Sequence, residues 1–117
     1  MLKKLSDLYK MEVTTSETSE EVRVSVSGDL DLSSVASFRN AIDKALAIRD
    51  ARKLVVDLCN TNYIDSAGLE QLLVANRKLS AEGGRLLVRV ESGHQPHTVL
   101  SVTGFNAIMD VEPSNDT

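Results

Sequence analysis

Residues 53–73 read KLVVDLCNTNYIDSAGLEQLL and change character twice. KLVVDL (53–58) is a short unbroken apolar run, the pattern of a central strand covered on both faces. CNTNYID (59–65) reads as a loop. A helical period follows from about Ser66 to Glu82, with Leu69, Leu72, Leu73 and Leu79 on the apolar side, and Gly83-Gly84 stops it. A covered strand leading into an amphipathic helix is the front half of a βαβ unit, so an α/β fold is expected.

The flanks agree. Upstream, VRVSVSG sets Val22, Val24 and Val26 to one side and Arg23, Ser25 and Ser27 to the other, a strand with one wet face that Gly28 ends. MEVTTSETSEE before it supplies the edge strand of a hairpin, with the polar SETSE as its turn. Residues 33–49 are helical, with Val35, Phe38, Ile42 and Ala45 or Leu46 apolar and Ser33 or Ser34 as N-cap. Downstream come a strand (RLLVRV), a loop (ESGHQPH) and a third helix from Pro96 to Thr103, ended by Gly104. AIMDV reads as a last strand and EPSNDT as a polar tail. The order β-β-α-β-α-β-α-β demands right-handed crossovers and a mostly parallel sheet of four to five strands, with an antiparallel N-terminal edge hairpin. The loops leaving the strand C-terminal ends (28–33, 59–65 and 91–96) gather at one edge, where sites are built. Ser66 belongs to that edge.

Bulk properties exclude several functions. In 117 residues, 42% are hydrophobic but only 3% aromatic, with no Trp, so the core rests on Val, Leu, Ile and Ala. Few aromatics, a net charge of −4 and only paired cations (Lys3-Lys4, Arg77-Lys78) argue against a nucleic-acid surface. One cysteine, Cys59, forms no internal disulfide and fits a reducing cytoplasm. MLKKLSDLYK has no apolar core of a signal peptide, and no run is long enough for a membrane span. No metal or other cofactor is expected.

Ser66 admits three readings. It can cap the helix, a role worth about 1 kcal/mol. It can be a nucleophile, since Asp31, His94 and His97 lie on loops at the same edge, but IDSAG lacks the G-x-S-x-G elbow of hydrolases. It can accept a phosphate, because a hydroxyl at a helix N-terminus is exposed and the helix end favours anions. Asp65, Asp29 and Asp31 would then surround the new charge. A metal site at His94 and His97 is disfavoured by the intervening Pro96. Asp57 reads as a structural carboxylate, and Glu70, Arg77 and Lys78 as a solvated helix face.

SGDLDLSS (27–34), LVVDL (54–58), YIDSAGL (63–69), GGRLLV (83–88) and TGF (103–105) together resemble the STAS domains of bacterial anti-sigma factor antagonists. The resemblance covers about residues 9–112, leaving 1–8 as an N-terminal extension and 113–117 as a polar tail. It implies a STAS fold, a four- to five-stranded sheet with three to four flanking helices, and partner switching without enzymatic activity. The unphosphorylated antagonist binds an anti-sigma factor serine kinase that uses ATP and Mg, and so frees a sigma factor. Phosphorylation releases it, and a PP2C-like phosphatase restores binding. By position Ser66 is the phosphoacceptor, and Asp29, Asp31, Ser33, Asn62, Tyr63, Asp65, Ala67 and Gly68 form the partner surface. Gly68 is expected to slim the helix start for a partner's backbone, while Tyr63 and Ile64 are expected to pack beneath the loop. Ala67 replaces a second serine and leaves Ser66 the sole hydroxyl of its motif. Neither nucleic acid nor membrane is a partner; a homodimer stays open. The alternative is a STAS docking subunit of a stressosome-like or transporter complex.

Overall fold

Valines at every second position build the first hairpin. A computed structural model of the chain describes residues 11–48 and 53–114. In it β1 (Glu12–Glu17) pairs antiparallel with β2 (Val22–Leu30). Thr18 closes their turn, its Oγ1 accepting from the amides of Glu20 and Glu21 at 3.2 Å. The remaining elements are α1 (Val35–Leu46), β3 (Lys53–Ile64), α2 (Ser66–Ala81), β4 (Arg85–Glu91), α3 (Gln95–Val102), a short 3-10 turn (Phe105–Ala107) and β5 (Asp110–Ser114). The sheet order is β1-β2-β3-β4-β5, parallel from β2 onward. The expected α/β architecture is therefore present, with five strands and three α-helices among the described residues.

One sheet face carries the core. Val22, Val24 and Val26, Leu54, Val56 and Leu58, and Leu86, Val88 and Val90 form one buried cluster with Phe38, Ile42, Leu72, Ala75, Leu79 and Leu100 from the helices. Sequential parallel strands joined by right-handed crossovers place every helix on this side. The other face is only half-covered. Val55 is buried there, but beside it Arg23 pairs with Asp57 (3.4 Å) and Arg89 faces Glu112 (3.8 Å). The run 53–58, expected to be covered on both faces, is thus fully apolar on the core side alone. Asp57 is the satisfied structural carboxylate anticipated, since its Oδ1 also accepts from the Cys59 amide at 2.9 Å.

The expected loop at 59–65 is strand as far as Ile64. β3 continues to Ile64, still paired with β2 as far as Leu30, although its ladder with β4 stops at Asp57 and Arg89. Two irregularities explain the misleading composition. Between Ser25 and Ser27, and again between Gly28 and Asp29, β3 spends one residue more than β2. Each extra residue flips the alternation, so polar Asn60 and Asn62 face solvent while Thr61 and Ile64 turn inward. Gly28 does not end β2. Its φ of 93° is a left-handed kink that lets β2 follow the bulge and run on to Leu30. Buried Thr61 is satisfied by donating from Oγ1 to the Val26 carbonyl at 2.9 Å.

Boundaries shift elsewhere too. The last strand begins at Asp110, three residues beyond the expected Ala107, because residues 105–107 take a 3-10 turn. It extends to Ser114, which is buried, so the stretch expected as tail from 113 is strand for two residues. The helix expected over 33–49 is shorter, Val35–Leu46 with Ala47 as its C-cap, while the N-terminal extension at 1–8 and the last tail residues lie outside the described residues.

Thr61→Val keeps shape but deletes the bond to Val26. It is expected to lower stability by about 1–2 kcal/mol, read as a lower urea midpoint at unchanged m-value.

Candidate functional site

The candidate site lies where β2 and β3 both end. The chain leaves β3 through Asp65, in extended conformation, and enters α2 at Ser66. Asp65 is the N-cap. Its Oδ1 accepts from the amides of Ala67 (2.9 Å) and Gly68 (3.3 Å), two of the donors a helix start leaves unpaired. Ser66, read in the sequence as a cap position, is instead the first helical residue. Asp65 takes the cap because its carboxylate reaches the Ala67 and Gly68 amides. Ser66 is exposed, and among the described residues its hydroxyl makes no hydrogen bond.

Asp65 has a second role. Its other oxygen, Oδ2, accepts from the Leu32 amide at 3.1 Å, and its own amide donates to the Leu30 carbonyl at 3.2 Å. One residue therefore ties the β2–α1 turn to the start of α2. That turn is also internally braced. Ser34 Oγ accepts from the Asp31 amide (3.0 Å) and donates to the Asp29 carbonyl (2.8 Å). Asp31 Oδ1 accepts from the Ser33 hydroxyl (2.6 Å) and amide (3.0 Å). Ser34 occupies the α1 N-cap position without making a side-chain cap bond, because its hydroxyl serves the turn.

The hydroxyl of Ser33, helped by its amide and by Ser34, holds the Asp31 carboxyl below the usual carboxylate range. A carboxyl that titrates lower when folded stabilises the fold above its unfolded pKa, and this is lost as pH falls through the folded value. The turn thus carries full negative charge at neutral pH.

The sequence-predicted set is largely brought together. Asp31, Ser33, Asp65, Ser66 and Ala67 lie on the two tied segments; Asp29 is half-buried at the end of β2, and Asn62 is exposed near the end of β3. Two expectations change. Tyr63 is 46% exposed and does not pack beneath the loop; the preceding bulges turn Ile64 inward, at 1% exposure, and Tyr63 outward. Gly68 is buried, so its slimness serves the interior. A Cβ there would stand 2.8 Å from Ile64 Cγ1, 2.9 Å from Leu30 Cγ and 3.0 Å from the Leu30 carbonyl oxygen. Only glycine lets α2 start this close to β2 and β3.

Leu32 was not singled out by the sequence. It is 77% exposed at the tip of the turn between Asp31 and Ser33. Parity with core residue Leu30 disguises it as a strand position, and only an apolar residue inside a polar turn motif could have signalled it. Exposed Leu32 and Tyr63, with the three aspartates, give this edge apolar tips in an acidic field.

His97 Nδ1 accepts from the Gly93 amide at 3.1 Å, and no described hydrogen bond joins either imidazole to Ser66. Among the described residues no group of three or more His, Cys, Asp or Glu could hold a metal. Burial first, and Asp57 second, push the Cys59 thiol up to about 11, so it stays protonated and unreactive at neutral pH. No described helix is long and apolar enough to cross a membrane. On α2, Glu70, Arg77 and Lys78 are exposed, and Lys78 lies 3.6 Å from Asp43 of α1.

Comparison with known proteins places this geometry. Residues 13–110 match the family model described as "Mlab, STAS domain", and the chain belongs to the STAS-domain family. An anti-sigma F factor antagonist of Paenibacillus polymyxa is 28% identical over 88 residues, 75% of this chain and 74% of that protein. The crystal structure of an anti-sigma factor antagonist from Mycobacterium paratuberculosis has a TM-score of 0.79 at 24% identity, covering 92% of this chain and 89% of that one. SpoIIAA, an anti-sigma factor antagonist, matches at 22% identity in two forms. The unphosphorylated form gives a TM-score of 0.68 over 91% of this chain and 90% of that one. The phosphorylated form, from Bacillus, gives 0.65 over 88% and 93%. The STAS fold inferred from the motifs is the fold observed.

Two variants probe the site. Gly68→Ala is expected to cost about 1–3 kcal/mol, seen as a drop in Tm, because the helix start must lift from Leu30 and Ile64. Ser33→Ala should move the Asp31 pKa upward, toward the ordinary value near ~3.9, in an NMR titration of the carboxyl carbon.

Proposed function

We propose that this protein is an anti-sigma factor antagonist governed by phosphorylation of Ser66. Unphosphorylated, it binds an anti-sigma factor serine kinase through the edge formed by Asp29, Asp31, Ser33, Asn62, Tyr63, Asp65, Ala67 and Gly68, and so frees a sigma factor. The observation that carries this reading is the division of labour at the α2 start. Asp65 does the capping, which leaves the adjacent Ser66 hydroxyl exposed and uncommitted. Gly68 contributes from beneath, by setting how low the helix sits on β2 and β3.

Phosphorylation adds a charge of about −1.5 to −2 at neutral pH. On Ser66 that charge lands beside Asp65, on an edge already holding Asp29 and Asp31. The phosphate and the Asp65 carboxylate then compete for the Ala67 and Gly68 amides, and Asp65 also holds Leu32. A partner seated against this edge meets like-charge repulsion and an uncompensated desolvation cost. The fold need not change, a view supported by the similar fit to SpoIIAA in its unphosphorylated and phosphorylated forms. A PP2C-like phosphatase returns the protein to its binding form. The antagonist performs no catalysis itself; its kinase partner supplies the phosphate from ATP with Mg.

A second reading has one observation in its favour. The matching family description names Mlab and not an antagonist. On that reading the chain is a STAS docking subunit of a stressosome-like or transporter complex, and the edge docks without a switch.

Binding to the serine kinase anti-sigma factors of the same genome separates the two. Ser66→Ala is expected to hold its kinase in the presence of Mg and ATP. Ser66→Asp should bind at least about tenfold more weakly, since a like charge across an interface is costly. Equal affinity of both variants would sink the switch, and recovery of a transporter ATPase from native lysate would favour docking.

A further inference from the structure

β3 outruns its neighbour. Its ladder with β4 ends at Asp57 and Arg89, while its ladder with β2 continues to Leu30 and Ile64. The Asp65 amide points toward β2, where the Leu30 carbonyl receives it. Ile64, one residue earlier, presents its N–H and C=O to the opposite side, where β4 no longer runs. Backbone groups in this position need partners, because the residue itself is buried at 1% exposure.

Both are met by one side chain. Gln95 Oε1 accepts from the Ile64 amide at 2.9 Å, and Gln95 Nε2 donates to the Ile64 carbonyl at 3.0 Å. This is the two-bond exchange that a facing residue of an antiparallel strand makes, delivered by a primary amide. Gln95 is well anchored for it. It opens α3, where Pro96 is buried in the first turn and Leu100 is fully buried in the core. Glutamine is also singular in chemistry here. An ionised glutamate would accept from the Ile64 amide but set an oxygen against its carbonyl, and asparagine is one methylene shorter.

The clamped residue is the one on which the corner turns. Ile64 directly precedes the cap residue Asp65 and lies two residues before Ser66. Its side chain also lies against the position a Gly68 Cβ would take. We infer that Gln95 is a positioning residue for the Ser66 hydroxyl: by replacing the missing strand at Ile64, it fixes the height and direction in which the chain leaves β3 and enters α2. Gln95 makes its side-chain hydrogen bonds to Ile64 and not to the hydroxyl. The inference rests on the reading of Ser66 as the modified residue, and it links the third loop of the functional edge to the other two.

Gln95→Met, of similar length but without hydrogen bonds, tests it beside Gln95→Glu, which keeps the acceptor. Thermal melting and amide protection of Val56 and Val88 confirm that each variant retains its core. By NMR hydrogen exchange, the Ile64 amide is expected to exchange about three- to tenfold faster in Gln95→Met, and the Ala67 and Gly68 amides bound to Asp65 to accelerate with it. Gln95→Glu should restore much of the Ile64 protection. With the kinase that modifies Ser66, Gln95→Met should lower kcat about three- to tenfold with KM unchanged, as misplacement of a reacting group does. Faster exchange confined to Ile64, or kinase kinetics equal to wild type, would overturn the positioning role while leaving the switch intact. Absence of phosphate on Ser66 in the wild type would instead overturn the switch, and the exchange at Ala67 and Gly68 would then decide on the corner alone.

Discussion

One carboxylate holds the functional edge together. Asp65 accepts from three backbone amides, those of Leu32, Ala67 and Gly68, and so joins two segments far apart in sequence. Without it the β2–α1 turn would lose its side-chain tie to the α2 start and keep the backbone bond from Asp65 to Leu30. With it the two segments form one surface. The carboxylate also decides the state of its neighbour, because a cap supplied by Asp65 asks nothing of the Ser66 hydroxyl. A negative side chain at a helix N-terminus is favourable for the helix as well. The same N–H groups and dipole would attract a phosphate, so a modified Ser66 would contest the position that Asp65 holds.

The packing beneath makes this corner reproducible. Gly68 allows α2 to settle on Leu30 and Ile64 at distances no Cβ would tolerate. Thr61, bonded to Val26, and the two bulges carry β3 past the end of its β4 ladder. The result is a pedestal with a chemically simple top: exposed Leu32 and Tyr63, the aspartates of the same edge, and an exposed Ser66 hydroxyl at the helix start. Such a surface suits recognition by a partner. Membership of the STAS family, with antagonists among its relatives and structural neighbours, agrees with this character.

Much of the fold was legible because periodicity reports burial. Alternating valines marked β2, the apolar run at 53–58 marked the centre of β3, and leucines at helical spacing marked α2. The bulged half of β3 was illegible for the same reason. A strand that gains a residue twice loses its period, and CNTNYID then has the composition of a loop. Only the register with β2, a long-range property, reveals it. At the site, DSAG announced itself as a motif, yet two adjacent residues of similar capping tendency left the division between Asp65 and Ser66 undetermined. The Asp65–Leu32 bond and the close packing at Gly68 depend on segments about thirty residues apart in the chain, which no local pattern encodes. Leu32 was hidden by its parity with Leu30, because the chain leaves the strand between them.

The central claim is that Ser66 is the hydroxyl on which the switch is written. Trypsin releases it in the peptide spanning residues 54–77, which also contains Thr61 and Tyr63. Thr61 is buried and bonded to Val26, whereas Tyr63 is exposed, so the peptide offers an internal choice. Tandem mass spectrometry of this peptide, from protein recovered under conditions in which the partner kinase is active, tests the claim directly. The account predicts phosphate on Ser66, with Thr61 and Tyr63 bare. A peptide that is never modified, or phosphate found on Tyr63 in place of Ser66, would contradict it.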